Sequence, residues 1–141
     1  MLDPTDLAII DILKKNSRIQ WREIGERVHL TGQAVGNRIR RMEELGLIKR
    51  YTVDVDHKKL GKAITAFVTV FMKTTDHPAF GEFIMANGAI TEADRISGEG
   101  CYLLKISVAS NEELKELLDS LLSFGNYRVN LSIDSIKRVG F

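Results

Sequence analysis

TGQAVGNRIRRMEELGLI, residues 31–48, is the stretch on which the reading of this chain turns. Thr31 is a good N-cap, Val35, Ile39, Met42 and Leu45 recur at helical spacing, and Gly46 is a natural stop. The segment therefore predicts a helix from just after Thr31 to about Leu45. Its other side opens with Thr31, Gly32, Gln33, Gly36 and Asn37 and runs on into Arg40 and Arg41. An α-helix fits the DNA major groove, where Gln and Asn can make bidentate contacts to adenine and Arg to guanine. Gly36 inside a helix costs roughly 1 kcal/mol relative to Ala. Close approach to a duplex would account for it, and so would simple tolerance.

Working outward, WREIGERV (residues 21–28) predicts a short helix with Trp21, Ile24 and Val28 on one face. Gln20 and Glu23 give it a weakened capping arrangement. VHLT then supplies the turn into the 31–45 helix. An earlier helix is capped by Asp3 or Thr5, with Pro4 in its opening turn. Leu7, Ile10 and Lys14 follow one stripe, Ile9, Ile12 and Leu13 widen its apolar side, and Asn16-Ser17 ends it. After Gly46, LIKRYTVDV (residues 47–55) reads as two short strands around a turn, a candidate wing.

This triplet has the layout of a winged helix-turn-helix, in which a recognition helix enters the groove and its predecessor crosses the backbone. In that frame Gln33 and Asn37 face bases, and Arg38 and Arg41 lean toward phosphates. Arg40 stays open, since successive helix positions diverge by about 100°. Thr31 and Gly32 leave room at the helix start, whose amides suit a phosphate. Arg22, Lys49 and Arg50 are expected on the DNA backbone.

Beyond a polar connection ending at Leu60-Gly61 the periodicity changes. AITAFVTVFM (63–72), residues 89–96, CYLLKISV (101–108) and residues 127–137 predict strands; residues 77–87 and 111–122 predict amphipathic helices. Gly125-Asn126 is expected to break the last helix. The order β-α-β-β-α-β is that of a ferredoxin-like split βαβ unit, with both helices on one sheet face. The fold class is therefore α+β: a winged helix-turn-helix domain over residues 1–60, then a ferredoxin-like domain over 61–141. Thr65, Phe67, Thr69 and Phe71 would lie on a sheet face left bare in one chain. That face predicts a second subunit and a homo-oligomer.

The 141 residues carry a net charge of +1, distributed as +3 over residues 1–60 and −2 over 61–141. The positive half is the one with the helical triplet. No apolar run is long enough to span a membrane, and the N-terminus does not read as a signal peptide. A single cysteine, Cys101, excludes an internal disulfide framework and fits a reducing cytosol, so a cytoplasmic, nucleoid-associated protein is expected. His29, His57 and His77 lack metal-ligand spacing with Cys101. Cys101 also has no evident His base, and the turn at residues 97–100, SGEG, lacks the length and lysine of a phosphate loop. The expectation is neither an enzyme nor a carrier of a cofactor or metal.

Taken together the chain resembles the leucine-responsive regulator/asparagine-synthesis regulator (Lrp/AsnC, feast/famine) family. The resemblance rests on Leu2-Asp3, Ile12-Leu13, Arg18 and a V-x-x-R-I-x-x-L-E-x-x-G-x-I run. That run is met by Val35, Arg38, Ile39, Met42 (in place of Leu), Glu43, Gly46 and Ile48. Leu60-Gly61 matches the turn that begins the family's second domain. The resemblance implies a transcriptional regulator of double-stranded DNA that forms dimers and often octamers, and many members bind an amino acid between dimers. A family hairpin reading G-D-x-D-Y-L-L corresponds to Gly98–Leu104, with Cys101 replacing the second Asp. Glu99, Gly100, Tyr102, Asn130 and Ser132 become the candidate effector contacts. Two other readings stay open: an architectural protein that bends or wraps DNA with weak sequence preference and no effector, and a metabolite-binding module that uses DNA only weakly.

Overall fold

The computed structural model describes residues 1–98 and 100–138. Its element order is α1 (Pro4–Lys15), α2 (Trp21–Val28), α3 (Gly32–Glu44), β1 (Ile64–Met72), α4 (His77–Ala86), β2 (Ile90–Arg95), β3 (Tyr102–Val108), α5 (Asn111–Leu121) and β4 (Gly125–Leu131). The chain divides into two compact units. One takes Met1–Asp54 with the C-terminal residues from Ile136; the other is Val55–Ser135. Among the described residues no helix is long and apolar enough to cross a membrane.

In the first unit, three helices close over Ile9, Leu13, Ile19, Ile24, Val35, Ile39 and Met42. Each helix start is set by local chemistry. Asp3 and Asp6 form a reciprocal capping box on α1, with Pro4 in its first turn. The Thr31 hydroxyl accepts from the Ala34 amide at 3.1 Å and caps α3. Gly46, at φ +74°, ends α3 in a Schellman arrangement: its amide donates to Glu43 O, and the Leu47 amide donates to Met42 O, both at 2.9 Å. The apolar face of α1 is turned from the expected phase. Asp6, Ile9 and Leu13 are buried, whereas Leu7 is exposed.

The wing hairpin expected over residues 47–55 does not form; none of those residues is in a strand. KRYTVDV offers no Asn-Gly or Gly-containing pair to fix a tight turn. A two-stranded ribbon without a third strand or a helix beneath it is also marginal. The connection after it folds as expected. Asp56 Oδ1 accepts from the amides of Lys58 and Lys59, and Gly61 closes the turn at φ +84°.

The second unit has the ferredoxin-like topology: a four-stranded antiparallel sheet in the order β2-β3-β1-β4. One face carries Ala66, Val68 and Val70 from β1 and Tyr102, Leu104, Ile106 and Val108 from β3. These pack with Phe80 of α4 and with Leu114, Leu117 and Leu121 of α5. Phe80 anchors the layer, edge-on to Tyr102 at 4.8 Å and 4.9 Å from Phe124, ring centroid to ring centroid. Two expectations about β4 are revised. Gly125 and Asn126 open the strand rather than ending a helix, because Gly125 lies so close to β1 that a Cβ would collide with the Phe71 carbonyl. The strand stops at Leu131 instead of reaching residue 137. β1 begins at Ile64, in register with residue 133, so a β4 reaching residue 137 would run past the end of its neighbour.

Opposite the helices, β1 presents Thr65, Phe67, Thr69 and Phe71. In register beside them stand Leu103 and Lys105 of β3 and Asn126, Arg128 and Asn130 of β4. Two cations lie over the aromatic rings, Lys105 Nζ 5.9 Å from the Phe67 centroid and the Arg128 guanidinium 5.5 Å from that of Phe71. Phe67 and Leu103 keep more than a third of their surface exposed.

Candidate nucleic-acid interface

At about 100° per residue, α3 divides into three arcs. Val35, Gly36, Ile39 and Met42 are buried inward. Gln33, Asn37, Arg40, Arg41 and Glu44 form the outward arc, and all five are exposed. Arg38 lies on a third arc, toward α1.

Arg38 is therefore not where the sequence suggested. Its Nη1 donates to Asp3 at 2.8 and 2.7 Å and to Asp6 Oδ1 at 3.0 Å. The same two carboxylates cap α1 through the Asp6 and Asp3 amides, at 2.9 and 3.1 Å. Asp6 is almost fully buried. The hydrogen bond from Arg38, ahead of the Asp6 amide and the Coulombic attraction, holds the Asp3 carboxyl below its ordinary range. The guanidinium is pushed up in turn by Asp3 and then Asp6. Arg38 thus ties the start of α1 to α3, with its charge facing two carboxylates rather than a phosphate. Arg41 reaches the same segment more loosely, Nη2 donating to Met1 O at 3.3 Å.

The outward arc is organised by Trp21, a residue the sequence placed only on one face of α2 with Ile24 and Val28. Its ring lies against α3 at Gly36, where a Cβ would collide with three ring carbons. Gly36 therefore makes room for Trp21, which is a different reason from either considered above. Trp21 stays about 39% exposed, and the Arg40 guanidinium sits over its ring at 5.3 Å. Arg40 Nη1 also donates to Asn37 Oδ1 at 3.1 Å. The turn between α2 and α3 is equally tight. Gly25 faces the Leu30 carbonyl with no space for a side chain, and Gly32 lies close to the Arg22 backbone. His29 takes the left-handed conformation at φ 60° to end α2. Arg22, Lys49 and Arg50 are exposed, the last two on an irregular segment rather than a wing.

The candidate effector residues are dispersed within one chain. Glu99 lies outside the described residues. Tyr102 points into the helix-side core, and its hydroxyl is 2.8 Å from His77 Nδ1. Gly100 is buried against the Thr69 methyl, near the opposite face. Gly100's neighbour Thr69 is in register with Arg128, so Asn130 lies two residues further along β4 and Ser132 four, just past the strand's end at Leu131. At about 3.4 Å per residue that is roughly 7 and 14 Å. Sequence reasoning missed the Trp21–Gly36 and Asp3–Arg38 contacts. A signal for the second was present in the S/T/D-x-x-D/E spacing of Asp3 and Asp6, which leaves two acids waiting for a partner.

An exposed polar helix arc, the helix before it set across its start, and a separate β-α-β-β-α-β unit define a helix-turn-helix DNA-binding protein with a regulatory domain. The AsnC-type helix-turn-helix domain model matches residues 2–43, and the Lrp/AsnC ligand binding domain model matches residues 65–140. The transcriptional regulator LrpB of Bacillus subtilis is 50% identical over 137 residues, covering 97% of this chain and 92% of LrpB. LrpA of the same organism is 36% identical over 94% of this chain and 98% of its own. The structure of B. subtilis LrpC, 34% identical, superposes with a TM-score of 0.93 over 97% of this chain and 98% of that one. The chain belongs to the Lrp/AsnC family and is a DNA-binding transcriptional regulator. Self-association goes with that family membership.

Proposed function

We propose that this regulator reads its operator with the outward arc of α3, as a symmetric assembly whose sheet domains hold the copies together. Gln33, Asn37, Arg40 and Arg41 face the major groove. Thr31 and Gly32 bring the helix start close to the duplex, and Arg22, Lys49 and Arg50 meet phosphates. Arg38 belongs to the domain's own framework and Gly36 to the Trp21 contact. The observation that carries this reading is the outward arc itself: Gln33, Asn37, Arg40, Arg41 and Glu44 share one exposed side of a helix whose opposite side, with Val35, Gly36, Ile39 and Met42, is buried.

Residues 1–60 act as the DNA-binding domain and residues 61–141 as the domain for self-association and effector binding. The bare sheet face, with Phe67, Phe71 and Leu103, supports contact between copies, in dimers and in octamers built from them. An amino-acid effector would meet Glu99, Gly100, Asn130 and Ser132. The spread of Gly100, Asn130 and Ser132 along the sheet suits a site completed by a second copy better than a pocket in one chain. Such a ligand would shift the assembly equilibrium and hence operator occupancy. A cytoplasmic, nucleoid-associated location follows from DNA binding.

Fluorescence anisotropy of duplexes carrying the gene's own upstream region or a shuffled sequence, over a salt series and with an amino-acid panel, tests this. Tight, salt-sensitive preference for the upstream duplex is expected. Equal affinity for both duplexes would favour a DNA-bending architectural role instead.

A further inference from the structure

The outward arc of α3 is not a row of free side chains. Asn37 recognises adenine only when its oxygen accepts from N6 while its amide donates to N7. Here Asn37 Oδ1 accepts from Arg40 at 3.1 Å, which takes one of its two lone pairs and ties the amide to Arg40. Arg40 is differently placed. Its guanidinium lies over the Trp21 ring, a contact that uses the π face and leaves the N–H edge available. Of five donors in a planar fork, one goes to Asn37. Among the described residues no carboxylate forms an ion pair with Arg40, in contrast to Arg38 with its two. The only tryptophan of the chain and a helix-interior glycine are thus arranged to support one exposed arginine.

We infer that Arg40 is the residue that reads guanine, held in place by stacking on Trp21 and by its bond to Asn37, so that Trp21 and Asn37 act as positioning residues. The inference rests on the proposal that the outward arc of α3 enters the major groove. The guanine edge offers N7 and O6, two acceptors side by side, which match the remaining fork of the guanidinium. Gly36 is the condition for this arrangement, because any side chain there would displace the ring on which Arg40 rests. Asn37, which the sequence placed on a base, acts through Arg40 instead.

The test uses the full-length chain. Duplexes are selected from a random library, and each guanine of the selected site is then replaced singly by 7-deazaguanine, which lacks the N7 acceptor. The wild-type chain should show one guanine per half-site whose replacement weakens binding about tenfold. Arg40→Ala should lose that penalty and keep the sensitivity of other positions, and Arg40→Lys, whose ammonium can still donate to N7, should keep only part of it. Trp21→Leu and Asn37→Ala should shrink it, and Trp21→Phe, which keeps an aromatic face and small volume change, should restore most of it. Emission from Trp21 should shift on adding the selected duplex, and shift less in Arg40→Ala. Persistence of the full penalty in Arg40→Ala would overturn the inference. So would an Asn37→Ala chain that loses an adenine preference and keeps the guanine one. If the wild-type chain enriches no duplex at all, the underlying DNA-reading proposal fails, and that outcome is distinct from the others.

Discussion

The helix-turn-helix unit and the sheet unit differ in how much of their working surface one chain can build. In the first, α3 is supported from two sides, by the Asp3–Asp6–Arg38 cluster and by Trp21 packed on Gly36, and the outward arc is finished. In the second, one sheet face packs around Phe80 against α4 and α5, while on the other Phe67 and Leu103 stay more than a third exposed, with Lys105 and Arg128 over the rings of Phe67 and Phe71. The residues expected to meet an effector lie on opposite faces and up to four strand positions apart. A DNA-reading helix needs only its own domain to be rigid. The sheet unit keeps one face bare, and it is there that a second copy is proposed to complete the surface.

That contrast can be broken at its foundations first. Phe80 is completely buried at the centre of the sheet unit, so Phe80→Ala should destabilise that unit by about 3–5 kcal/mol. Calorimetry should show the loss there, with the separate core around Ile9, Ile24 and Ile39 retained. Next, Gly36→Ala should cost the helical unit about 1–3 kcal/mol through overpacking against Trp21. Thermal melting should register this, and tryptophan emission should move as the ring is displaced. A Phe67→Asp/Phe71→Asp pair should cost the single chain about 1–2 kcal/mol, because both rings are partly buried on β1 and carry cations. Sedimentation should nonetheless show the assembly shifted toward single chains.

The smallest expected effect concerns acid. Asp3 in the folded chain titrates below its ordinary value of 3.8, chiefly because Arg38 hydrogen-bonds the carboxylate. A lowered folded value means that its stabilisation is complete above 3.8 and is lost as pH falls through the folded value. Melting of the helical unit should therefore weaken in that acid range, and Asp3→Asn should flatten this part of the profile. An identical profile in Asp3→Asn would remove the Arg38 tie from the account.

What the sequence made legible were features set by neighbours in the chain. Helix boundaries followed from Asp3, Thr31 and Gly46, whose capping chemistry acts within a turn. The β-α-β-β-α-β order followed from changes of hydrophobic period. What stayed hidden depended on partners far along the chain. Arg38 lies 35 residues from Asp3, and although the family run singles it out from Arg40 and Arg41, nothing in its own segment names its partner. Gly36 looked like an accommodation to DNA because the ring that requires it stands on another helix. The wing and the end of β4 were overextended for a related reason: β-propensity proposes a strand, but only an adjacent strand confirms one. Leu7 illustrates the limit of periodicity, since Asp6 takes a buried place on α1 by virtue of its partner Arg38.

The central claim is that sequence reading resides on the outward arc of α3. Its most direct test is the ratio of affinities for the gene's upstream duplex and a shuffled duplex, measured by anisotropy for the wild-type chain and for Arg40→Ala/Arg41→Ala. The account predicts that the double substitution brings the ratio close to one, with the melting temperature of the helical unit little altered. A ratio that stays at the wild-type value in the folded double variant would place operator recognition elsewhere and contradict the account.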